Sequence, residues 1–214
     1  MPTSTLDAND LMMRLRTETR SHHDRAEEGG FGTLVMEGGL QMAHYLPHLV
    51  AWRRIHAQME HHLRTSTDPT VQAVWSESLA KAPILEADID ALSPGGIQLD
   101  DTTAAAVLAG LVMIDTVAVE HPASLLGVLY VLEGSTLGGT MMKPRIAEQL
   151  GLTSGAGLTY YGVYGKEVRA KFGEFRQAMS DAANDTEHED RIIEAAKMTF
   201  DRLGAILTAI VQAA

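Results

Sequence analysis

The chain contains no cysteine. Disulfides, thiolate metal centres, iron–sulfur clusters and a cysteine nucleophile are therefore excluded. Aromatic residues make up only 5% of the sequence, and no stretch alternates apolar and polar residues as a half-buried strand would. Positive charge is scarce: 17 Lys and Arg face 28 Asp and Glu, a formal net charge of −11. That balance argues against nucleic-acid binding, and any anionic ligand must be held by a local basic cluster. A P-loop, a dinucleotide fingerprint and a Gly-x-Ser-x-Gly elbow are missing. So is any Glu-x-x-His pair, which disfavours a di-iron helical bundle. The N-terminus MPTSTLDAND does not pair a basic start with an apolar run, and apolar stretches such as residues 125–132 are short of a bilayer span. A soluble, cytoplasmic protein with no membrane partner is expected.

What is present is helical. Of the 214 residues, 45% are hydrophobic, enough for one core, and no linker divides them. One domain over residues 1–214 is expected, with residues 1–8 flexible. Leu11, Leu15 and Thr19 recur at helical spacing and predict a helix over 7–27, ended by glycines at 29, 30 and 32. A second covers 41–64, with Tyr45, Leu49, Trp52, Ile55, Met59 and Leu63 as its buried stripe. Asp68-Pro69 reads as an N-cap followed by proline at the first helical position. Further helices are predicted over 84–92, 102–115, 122–150 and 165–183. Thr186 and Glu189 form a capping box for a last one reaching 212. The fold class is all-α, a single compact multi-helix domain.

Two features suggest chemistry. His23 and Glu27 stand four apart, on one helix face. A metal-ligating imidazole commonly gives its second N–H to a carboxylate, which fixes the tautomer. Arg16 and Arg20 lie two turns and one turn before His23 on the same side, where they suit an anionic ligand. Ordinary surface ion pairs would produce the same spacing. The second feature is Glu133-Gly134-Ser135-Thr136-Leu137-Gly138-Gly139. Each glycine inside a helix costs roughly 1 kcal/mol against alanine, so three imply a compensating role. Either the backbone approaches a flat ligand, or Gly134 and Gly138 form a helix-packing face. Together, a histidine-bearing helix and a glycine-rich one could sandwich a porphyrin, leaving room for O2 on the face away from the histidine. The histidines at 44, 48, 56, 61 and 62 read as a solvated face, with only Glu60 as an acidic neighbour.

The stretch from Leu15 to Glu27 resembles the proximal helix of the heme oxygenases, in particular the soluble bacterial type. Thr19 stands four residues before the histidine and Ala26-Glu27 three and four after it, which selects His23 over His22 as iron ligand. Tyr130 to Gly139 is similar to the family's kinked distal helix. Lys171-Phe172 and the run from Arg191 to Phe200 resemble its last two helices. The resemblance implies heme as substrate and cofactor, bound by Arg16, Arg20, Glu27, Tyr130 and Phe200, with Gly134, Ser135, Gly138 and Gly139 on the catalytic face. Ser135 stands where animal-type members carry a distal aspartate. Gly173 replaces a propionate-binding lysine, so Lys171 or Arg176 takes that role. The implied reaction uses O2 and an external electron donor, a reductase or ferredoxin. It releases biliverdin, carbon monoxide and ferrous iron, for a bacteriophytochrome chromophore or for iron supply. A heme carrier or sensor without turnover is the alternative.

Overall fold

The computed structural model describes residues 10–153, 155–182 and 186–214. The expected flexibility of residues 1–8 and the expected helix end at residue 183 lie outside them. Ten α-helices and no strand occur among the described residues. The all-α expectation holds.

α1 (Leu11–Glu18) is capped by Asp10, whose carboxylate accepts from the Met12 N–H at 2.9 Å. α2 (Arg20–Glu27) follows at once, so the single helix expected over 7–27 is divided. The break is at Thr19. Its buried hydroxyl donates to the Leu15 carbonyl at 2.6 Å, the back-bonding that bends helices. The glycines expected to end this segment also begin a helix that the sequence reading missed. α3 (Phe31–Glu37) is bracketed by Gly30 and Gly38, both left-handed, with φ of 85° and 95°.

α4 (Met42–Thr65) and α5 (Pro69–Val74) match expectation, and Asp68 caps α5 through the Thr70 and Val71 amides. α6 (Ala82–Leu92) starts two residues early, and α7 (Asp101–Glu120) runs five residues past its expected end. α8 (Leu125–Leu150) begins after a 3-10 turn at Pro122–Ser124 and is continuous through the glycine run. α9 (Val168–Ala182) and α10 (Thr186–Ala213) complete the chain.

α10 is central, packing on α8, α7 and α2. Its crossing with α8 is tightest at Gly127. A Cβ there would run into the Ile192 carbonyl oxygen and lie 2.8 Å from the Ala196 nitrogen. By length and composition, α7 and the segment from Pro122 to Leu150 are apolar enough to cross a membrane, so short apolar runs alone do not dispose of that reading. More than half of the most apolar 18-residue window of the second segment is buried in the core. α7 leaves Leu108, Val112 and Val119 exposed.

Candidate functional site

A cavity of about 910 Å³ opens between α1–α2 and α8, with α3, α4, α9 and α10 closing its sides. Small-molecule sites are commonly of this size. Arg16, Arg20, His23 and Glu27 line it from one wall and Tyr130, Gly134, Ser135, Gly138 and Gly139 from the other. Arg176 and Phe200 complete the set. Lys171 is the one expected site residue that does not line it: its ammonium lies 2.8 Å from Glu174 on the exposed surface.

His23 is half-exposed toward this space, its ring edge-on to Phe200 with centroids 5.4 Å apart. Asp24 Oδ1 lies 3.6 Å from Nδ1 and Glu27 Oε1 lies 3.7 Å from Nε2, both beyond hydrogen-bond length. Neither ring nitrogen is committed to these carboxylates. His22 differs. Its Nδ1 sits 2.8 Å from both Asp201 and an Arg25 guanidinium nitrogen, and it lies outside the cavity lining.

Around Tyr130 the site is basic. Burial raises the pKa of its hydroxyl, while the Arg176 and Arg16 guanidiniums oppose that shift, which places both cations close to it. Arg14 is unavailable, being tied to Glu18, Glu189 and Asp190.

The glycine run is explained by space. A Cβ on Gly138 would meet nothing within 4 Å, and one on Gly134 only Phe172 Cε2 at 3.9 Å. These two therefore do not form a helix-packing face; they leave the cavity wall bare. Gly139 is different, with the Tyr161 carbonyl oxygen 3.3 Å from a Cβ there. The hydroxyls of Ser135 and Thr136 donate back to the carbonyls of Leu132 (2.6 Å) and Glu133 (2.7 Å).

The expected solvated face of histidines on α4 is corrected by the structure: His44, His48 and His56 are buried. Residues 48, 52, 56 and 60 form one column at four-residue spacing, turned inward with Trp52. That spacing was the available signal, since Trp52 was already assigned to the core. His48 is packed between Phe31 and Trp52, with ring centroids 4.4 and 4.2 Å away, and its Nε2 lies 2.7 Å from the Tyr161 hydroxyl. Burial pushes its pKa down to about 3, so it is a neutral imidazole. Phe31, His48, Trp52, Tyr160 and Tyr161 all line the cavity and were missed. The tyrosines are held in place by buried Asp88, which accepts from the Thr159 and Tyr160 amides at 3.0 and 2.8 Å. Beneath α8, fully buried Lys81 lies 3.0 Å from Glu133, fixing the turn just before Gly134.

The heme oxygenase family profile matches residues 9–209 of this chain. The chain belongs to the heme oxygenase family. Among solved structures it resembles the heme oxygenase of Leptospira interrogans, with a TM-score of 0.84 and 23% identity over 93% of this chain and 98% of that one. Heme oxygenase-1 of the cyanobacterium Synechocystis, solved with heme, gives 0.84 and 20% identity over 95% of each chain. Heme oxygenase-2 of the same organism, solved with heme and NO, gives 0.87 and 20% over 96% and 86%. No curated protein matches significantly. At these identities the structural likeness supports the family's fold, and the residue assignments stand on the cavity's own geometry.

Proposed function

We propose that this protein binds heme between α2 and α8 and opens its ring with O2, yielding biliverdin, carbon monoxide and ferrous iron. The observation that carries this reading is the opposition, across one cavity, of an imidazole free of hydrogen bonds to Asp24 and Glu27 and a helix wall without side chains at 134 and 138. A flat ligand fits such a gap; substituted helices would fill it.

When bound, heme supplies both the iron that activates O2 and the carbon that is oxidised. The protein's own groups position it. His23 would offer a ring nitrogen to the iron, and Glu27, one helical turn on, would accept the other ring N–H. Phe200 limits the rotation of the imidazole through its edge contact. Arg16, Arg20 and Arg176, with the Tyr130 hydroxyl, hold the propionates and offset the chain's negative average field. Gly134 and Gly138, bare on the cavity wall opposite His23, would leave room there for a small diatomic ligand. Electrons come from a separate reductase or ferredoxin-type donor, because the sequence has no dinucleotide fingerprint. The biliverdin serves a bacteriophytochrome, or the iron itself is the useful product.

One observation favours a second reading, a heme carrier or sensor. Ser135 stands in place of an acidic group on α8, and its hydroxyl is spent on the Leu132 carbonyl. Hemin titration followed by reductase and oxygen separates the two. A Soret band that bleaches to a biliverdin spectrum supports the oxygenase. A band that persists supports the carrier, and no band removes both.

A further inference from the structure

The hydroxyls of Ser135 and Thr136 both donate to backbone carbonyls, so neither has a hydrogen to offer the cavity in this arrangement. The neighbouring polar group that remains is Tyr160. It lines the cavity, its hydroxyl has Ser135 and Trp52 beside it, and it lies 3.2 Å from His56 Nε2. We propose that the Tyr160 hydroxyl, oriented by the buried His56–Glu60 pair, holds the proton-donating water on the α8 side of the cavity.

The orientation follows from charge. Glu60 Oε1 accepts from the backbone N–H of Lys81 at 2.6 Å and of Ala82 at 3.0 Å, at the start of α6. Burial works to raise its pKa, but His56 and these two amides outweigh it, and the carboxylate stays ionised. The same oxygen lies 3.5 Å from His56 Nδ1, which has no hydrogen-bond partner. An anion opposite Nδ1 favours the tautomer with its hydrogen there. Nε2 is then bare and accepts the Tyr160 O–H. The tyrosine oxygen, with Trp52 beside it, keeps a lone pair for a cavity water, which donates to it and keeps its second O–H for a proton acceptor. When that proton is given up, the water regains one from solvent-connected neighbours; no electron moves and Tyr160 stays neutral. Burial raises the Tyr160 pKa, which suits a hydroxyl that remains protonated. The other charged groups facing His56 are Lys81 and Glu133, whose effects on it oppose each other.

His56 and Glu60 are thus positioning residues, and the proposal rests on the heme oxygenase reading. Nitrogen NMR of histidine in the protein without heme tests the bracing directly. The Nδ1–H tautomer is expected at His56, and Glu60→Gln should weaken that preference; an Nε2–H tautomer in the wild type overturns the proposal. Tyr160→Phe should keep hemin affinity within about twofold but slow O2-driven ring opening at least tenfold, less than the roughly 10²–10⁴ typical of a directly positioned proton donor because Tyr160 acts through a water. Hydrogen peroxide brings its own protons, so peroxide-driven opening should stay near the wild-type rate. An unchanged O2-driven rate, or an equal loss in both reactions, overturns the assignment. If Tyr160→Phe does not fold, Glu60→Gln carries the same kinetic comparison. A wild-type protein that never takes up hemin defeats the functional reading underneath, whereas the tautomer result stands apart from it.

Discussion

His22 Nδ1 lies 2.8 Å from Asp201 Oδ1, whereas the neighbouring His23 turns into the cavity with no such bond. Two adjacent histidines on α2 are thereby given different work, one as a tie to α10 and one as a candidate ligand. His23→Ala should abolish the ferric Soret shift seen on hemin titration. His22→Ala should leave the spectrum intact and cost no more than about 1 kcal/mol in urea unfolding, since its pair is partly exposed. The opposite pattern would place the iron on the wrong residue.

Glycines of α8 should separate into two classes. Gly138→Phe adds a ring where a Cβ meets nothing, so the protein should fold with little change in Tm and lose hemin uptake. Gly127→Ala drives a methyl into the Ile192 carbonyl, a backbone atom that cannot step aside. It should destabilise by about 1–3 kcal/mol, the usual range for overpacking. Thermal unfolding and hemin titration of both variants check this. Equal loss of stability would mean Gly138 is also a packing residue.

The basic rim offers a third comparison. Arg176 lines the cavity beside Tyr130, and Lys171 is paired with Glu174 outside it. A charge-assisted hydrogen bond contributes roughly 1.5–3 kcal/mol, so Arg176→Ala should weaken hemin binding about tenfold or more. Lys171→Ala should change it less than twofold. A larger effect from Lys171 would return the propionate contact to it.

Periodicity and caps made most of the helices legible, because Asp68, Thr186 and the stripe on α4 act locally. What escaped depends on longer range. α3 is too short to show a period, and its bounding glycines read as terminators alone. The break at Thr19 arises from one hydroxyl turned onto the chain, which spacing does not reveal. The site was readable at His23, Arg16 and the glycines because each residue type is costly or unusual where it stands. His48 and His56 were misread for the converse reason. Histidine is ordinarily a surface residue, and only Trp52, one turn from each, shows that their side faces in. Tyr160 and Tyr161 reach the cavity through Asp88, a contact 72 residues away from Tyr160 in sequence.

Burial of those histidines gives the protein an acid limit. His48 is neutral when folded, its pKa pushed down to about 3, against 6.5 for an ordinary histidine. Between those values the unfolded chain binds a proton that the folded one refuses, so stability falls as pH drops. The contribution is complete above pH 6.5 and declines by roughly 1.4 kcal/mol per pH unit below it. His56 shifts the same way, with burial the largest cause. Glu60, held below its usual range, adds to the loss only once pH falls into the carboxylate region. Unfolding free energies from urea titrations between pH 7 and pH 5 therefore isolate the histidines, and should fall by about 2 kcal/mol from His48 alone over that span. His48→Phe leaves the Tyr161 hydroxyl without its nitrogen partner and costs stability at pH 7, yet it should flatten the slope between pH 6 and pH 5. A wild-type midpoint that does not move over this range would mean that His48 takes up its proton within the folded protein.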